Sequence, residues 1–173
     1  MPNGNVSQRI PPGNQQNRRL VTSLLSRFDD AYGESRGHSF KHAVEGLTDA
    51  EAVWQPDHQA RPITEIILHV GSTSMVMADS VLGDGTVTGQ SVERQFREKG
   101  GDLRAALALA EQGYETLRAK LAVMTDAQIQ APLAGQKDWR AVPERFFGRM
   151  IEHHLYHAGQ IVYIRTLYRD SCG

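Results

Sequence analysis

The chain has 173 residues, with 19 Lys and Arg against 20 Asp and Glu and a formal net charge of −1. That is the size of one domain able to bury a core, and the interspersed charge gives no electrostatic case for nucleic acid or an anionic membrane as partner. No apolar run approaches the ~20 residues of a transmembrane helix and no signal-peptide core opens the chain. The single cysteine, Cys172, has no disulfide partner within the chain, so a cytoplasmic protein is expected.

Residues 1–16 are rich in Asn, Gln, Gly and Pro and are expected to form a disordered leader, with one domain over 17–170. Leu20, Val21, Leu24, Leu25, Phe28, Ala31 and Tyr32 form a helical-period stripe that ends near Gly33. A short helical piece is predicted at 39–45. Thr48-Asp49-Ala50-Glu51 has the pattern of a capping box and should open another short helix that stops before Pro56. Pro62 suits the first turn of a second long helix, with Glu65 near its positive end, running to about Leu82. Residues 83–101 carry five glycines and no strong period, and are predicted as a long connection.

A third long helix is marked by Leu103, Leu107, Ala110, Tyr114, Leu117, Leu121 and Met124. Thr125-Asp126-Ala127-Gln128 repeats the capping-box pattern, and a loop holding Trp139 leads to Pro143 at the start of a fourth helix, 142 to about 168. Four amphipathic helices, no convincing strand and connections of mixed length predict an all-α, antiparallel four-helix bundle, whose sites lie between facing helices.

His153 and His157 stand four residues apart in the fourth helix, on one face with Phe146, Met150 and Ile164. On the second long helix Ile66, His69, Thr73 and Val76 make the equivalent face, and small residues leave room beside the imidazole. Several buried imidazoles without partners are costly, and a metal ion would satisfy them. The competing reading of each is an ordinary hydrogen-bonded core histidine. The pair alone is a modest signal, and the glutamate of a zinc-protease motif is absent, because Leu155 and Tyr156 follow His154. His154 is turned 100° from His153, towards the edge of the core face, and carries no site role. His38, His42 and His58 fall in connecting segments.

These motifs resemble the DinB-like superfamily, also described by its damage-inducible and YfiT-like members, which are small four-helix metalloproteins. Its closing motif is matched by His153-His154-Leu155-Tyr156-His157-Ala158-Gly159-Gln160-Ile161, and its earlier motif by Ile63-Thr64-Glu65-Ile66-Ile67-Leu68-His69-Val70. Ala31-Tyr32-Gly33 and Gly46-Leu47-Thr48 resemble its first-helix exit and following turn, and the likeness spans about 17–169. The resemblance implies a three-histidine metal site of His69, His153 and His157. His154 stands where many relatives have an acidic residue, and Ser35-Arg36-Gly37-His38 stands where many have a Trp.

Three neutral imidazoles leave coordination positions open, as in catalytic sites. Imidazole ligands suit zinc, nickel, copper or iron, with zinc or nickel expected first. The resemblance implies transfer of a low-molecular-weight thiol to a small electrophilic substrate. Hydrolysis by metal-activated water and a non-catalytic metal-binding bundle are the alternatives. No general base is identifiable, and Tyr156 and Gln160 are near enough along the helix to contact a substrate. A second stripe on the fourth helix, Ile151, Leu155, Ala158 and Val162, predicts a homodimer contact unless the 83–101 connection covers it.

Overall fold

The computed structural model describes residues 18–34, 37–57 and 59–172; the expected leader, 1–16, lies outside them, as do Ser35, Arg36 and His58. The elements are α1 (Arg19–Asp29, continued by one π-helical turn, Asp30–Glu34), α2 (Phe40–Val44), α3 (Asp49–Val53), α4 (Ile63–Leu82), α5 (Gly89–Glu98), α6 (Leu103–Ala122), α7 (Asp126–Gln130) and α8 (Pro143–Cys172). Among the described residues there is no strand, and no helix is long and apolar enough to cross a membrane.

The four long helices α1, α4, α6 and α8 form the bundle, and their directions follow from which residues meet. Arg18 donates to the carbonyl of Ala122 while Tyr32 stacks on Tyr114, so α1 and α6 are antiparallel. His69 faces His157 while Met77 shares a cavity with Met150, so α4 and α8 are antiparallel too. The other two pairs run parallel. Gly71 abuts Leu109 and Ala110 while Lys120 Nζ donates to the Leu82 carbonyl, and Phe28 meets Phe147 while Tyr32 meets His154. A parallel α4–α6 pair requires the chain to travel back along the ~30 Å of a 20-residue helix between them. That is the task of the segment after Leu82.

This segment corrects one expectation. Residues 83–101 are not a plain connection, because α5 occupies Gly89–Glu98. Thr88 and Ser91 close a reciprocal cap at its start, and Val92 and Phe96, one turn apart, pack against Met75, Leu109, Leu68 and Val76. Only two apolar anchors are needed where the helix lies on the outside of two others, which is too few to show as a period. Packed against α4 and α6, α5 does not cover the second stripe of α8. That stripe is split: Ile151 and Ala158 are buried, whereas Leu155 and Val162 stay 42% and 47% exposed.

The expected caps at Thr48 and Thr125 are both formed, each Thr hydroxyl accepting from the third backbone N–H of its short helix. α1 starts differently. Arg18 gives it no side-chain cap, and the N–H groups of Leu20 and Val21 donate instead to the Asp126 carboxylate at 3.1 and 3.0 Å.

Phe28, Tyr32, Ile66, Ile67, Leu117, Leu121, Phe146 and Phe147 fill the space between the helices. At Gly71 and Gly113 the backbones of α4 and α6 come close enough that neither position has room for a Cβ. Among the described residues, three ion pairs join separate helices; the most exposed is Lys41–Glu111 at 2.9 Å, between α2 and α6. Arg118 holds Asp29 through Nε and Nη2 at 2.8 and 2.9 Å, with Tyr114 donating to the same carboxylate. Arg165 holds Glu51 at 3.2 Å and donates to the carbonyls of Ala43 and Glu45, tying α8 to α2 and α3.

Candidate metal centre

The antiparallel packing of α4 on α8 carries His69 to the pair on α8. The Nε2 atoms of His69 and His153 stand 3.2 Å apart. One ring nitrogen from each of His69, His153 and His157 lies within 4.8 Å of the others. The rings are inclined to one another at 56°, 74° and 75°, so their in-plane lone pairs converge from different directions. Nitrogens about 2.0–2.1 Å from a common centre are about 3.3 Å apart at the tetrahedral angle. The His69–His153 spacing therefore fits two ligands of one ion.

The surroundings keep these rings neutral. Burial and then the charge of Arg61 lower the pKa of His69. Burial, followed by the neighbouring His157 and His69, holds His153 down to about 4. Burial also lowers His157, against an opposing hydrogen bond to Gln160. Neutral imidazole is the form that donates a lone pair to a metal. His157 Nδ1–H donates to Gln160 Oε1 at 3.0 Å, which fixes the tautomer that leaves Nε2 free. Thr73 Oγ1 stands 3.5 Å from His69 Nδ1. His153 Nδ1 is buried without a hydrogen-bond partner. The donor set thus fits one transition-metal ion: three neutral nitrogens, two of them at ligand spacing.

His154 has a different place from the one its helical angle suggests. It is completely buried, not at an edge, between Phe28 and Tyr32, with Nε2 3.2 Å from Ser74 Oγ. Burial, then His153 and His157, lowers its pKa to about 3. It is a core residue hydrogen-bonded to α4. His38 and His42 lie on the α2 side of the molecule and take no part in the cluster.

Beside His153 opens a cavity of about 500 Å³, lined by Thr73, Met77, Trp139, Arg149, Met150, Glu152, His153 and Tyr156. Arg149 and Glu152 pair across its wall at 2.8 Å. Trp139 is set by the 3₁₀ turn Asp138–Arg140, which Asp138 enters at φ 59, and it stacks on Phe146. Tyr156 was expected near a substrate and lines this cavity, whereas Gln160 serves His157. Glu152, Arg149 and Trp139 were not foreseen as site residues. Glu152 is off the histidine face, and Trp139 arrives from a loop whose position no helical period reveals.

A family model described as the DinB superfamily matches residues 31–161, from the end of the first helix through the closing histidine pair. No curated protein and no solved structure matches the chain.

Proposed function

This chain belongs to the DinB superfamily, and from that premise we propose that His69, His153 and His157 hold one divalent transition metal, zinc or nickel before iron. We further propose that the site transfers a low-molecular-weight thiol to a small electrophilic substrate. The convergence of three ring nitrogens from two facing helices, all within 4.8 Å, carries the metal reading. A bound ion supplies Lewis acidity towards the sulfur nucleophile. The protein's own residues supply the rest. Burial keeps the imidazoles unprotonated, Gln160 holds the His157 tautomer, and three ligands leave room for a reactant. The cavity beside His153 gives the electrophile a partly apolar seat next to the histidines.

Hydrolysis is the second reading, favoured by one observation: Glu152 places a carboxylate in the wall of the same cavity, where it can accept a proton from water. Elemental analysis of untagged protein, purified without added metal, tests the ligand set. His69→Ala, His153→Ala and His157→Ala should each lose most of the metal, while folded His154→Ala keeps it. Equal metal content in all four variants overturns the assignment. Titrating small thiols into cobalt-substituted protein should produce sulfur-to-metal charge-transfer absorption. An unchanged spectrum removes the thiol reading and leaves hydrolysis or a structural ion.

A further inference from the structure

We propose that the cavity beside His153 binds a small organic carboxylate with a flat apolar body, and that Arg149 is the group that anchors it. This rests on the reading of the histidines as a reaction centre, and names the kind of molecule brought to it.

The walls fall into two chemical parts. Met77, Met150 and Trp139 offer thioether and indole surface, the lining that accepts a ring or an unsaturated chain. Among the described residues that line it, Arg149 is the only cationic side chain, and it stands one helical turn before His153 on α8. A volume of about 500 Å³ suits a ligand of one ring and a short acidic arm.

Arg149 is available for this. Its carboxylate partner, Glu152, is three residues along the same helix, and both side chains are more than half exposed, at 63% and 65%. An exposed pair of this kind contributes little, so exchanging Glu152 for a ligand carboxylate costs little. The planar guanidinium then offers two parallel N–H donors, which a carboxylate matches and a neutral amide does not.

A divalent ion held by the three imidazoles beside the cavity would add to the attraction of Arg149 for an anion and would repel a cation.

Three probes of one shape separate the possibilities: 3-phenylpropanoate, 3-phenylpropanamide and 3-phenylpropylamine. Binding is followed by calorimetry and by Trp139 fluorescence, with Trp139→Phe showing that the signal comes from the cavity. Zinc-loaded protein should bind the acid about two- to fivefold tighter than the amide, the scale of a half-exposed ion pair. The amine should be weakest. Arg149→Gln should erase the preference, and Glu152→Gln should strengthen it by freeing the guanidinium. The preference should persist, reduced, in metal-free protein. Equal binding of acid and amide by the unmutated protein overturns the proposal, as does tighter binding of the amine. It is also overturned if Arg149→Gln keeps the preference while metal removal abolishes it, because the ion is then the anchor. Metal content of the histidine variants is measured separately. A protein without metal but with an Arg149-dependent acid preference would refute the metal reading and leave this pocket standing.

Discussion

Replacing Gly71 with Ala should weaken both the fold and the metal centre, although Ala is the better helix former. A Cβ at Gly71 would stand 2.7 Å from Ala110 N and from the carbonyl carbon and oxygen of Leu109, where ordinary contact begins at 3.4 Å. All three atoms are backbone, so no side chain can swing aside. α4 and α6 must part by about 0.7 Å or deform, and overpacking of this kind costs about 1–3 kcal/mol. Against it stands a gain of about 1 kcal/mol from replacing Gly by Ala in a helix interior. Gly148, in α8, isolates the contact, because a Cβ there meets nothing within 4 Å. Gly148→Ala should stabilise the protein by about 0.5–1 kcal/mol while Gly71→Ala destabilises it by up to about 2 kcal/mol, both read by urea unfolding of metal-free protein. His69 lies two residues before Gly71, and metal–ligand distances tolerate only about ±0.2 Å. Chelator competition should therefore show weaker metal binding in Gly71→Ala alone. If Gly71→Ala gains as much stability as Gly148→Ala, the close crossing is not what holds α4 in place.

Arg165→Met should cost about 1–3 kcal/mol, because Glu51 Oε1 and the Ala43 carbonyl lose their donor while Thr48 still donates to Glu51 Oε2; a loss below about 0.5 kcal/mol in urea would show that the tie is not important. Burial alone would raise the Asp29 pKa, but the hydrogen bonds from Arg118 and Tyr114 and the Arg118 charge outweigh it, so the net shift is downward. A depressed carboxylate contributes stability that is present above its unfolded value near 3.9 and lost as pH falls through the lower folded value. Asp29→Asn should accordingly be less stable at neutral pH, with a stability curve flatter than the parent's below about pH 4, and identical curves would remove Asp29 from the acid response. We propose that the exposed part of the α8 stripe seats a second copy of the chain. Leu155→Glu should then lower the sedimenting mass and keep the metal, whereas a monomeric parent at micromolar concentration ends that proposal.

The four long helices were readable because each buries a full stripe, and α4 and α8 also carry boundaries, Pro62, Gly83 and Pro143, that act through backbone geometry alone. His69, His153 and His157 stood out because polar side chains interrupted apolar faces. α5 was not readable, since a helix lying in the groove of two others needs only Val92 and Phe96. Helix direction was half legible: the expected antiparallel packing holds for α1–α6 and α4–α8, but nothing in the composition of 83–101 says that α6 restarts at the far end of α4 and runs parallel to it. His154 was misplaced because 100° of helical turn distinguishes faces only when one face is solvent, and α8 is enclosed on that side by α1 as well as α4. The cavity draws on α4, α8 and the Trp139 loop at once. Arg149, His153 and Tyr156 follow helical spacing on α8, but Thr73, Met77 and Trp139 join them only when the chain is folded.

The clasp between Asp126 and the first turn of α1 has a consequence for the order of assembly. The two amides it satisfies belong to residues 20 and 21, so the start of the first helix is set by a side chain more than a hundred positions later. During synthesis α1 can coil, but its opening turn has no fixed end until α6 has been made and α7 has docked. Closing so long a loop carries an entropy cost that the local amphipathic stripe does not offset. The first helix of the described residues is thus completed only after α6 and α7. The amides of Leu20 and Val21 report whether the two ends of the bundle have met.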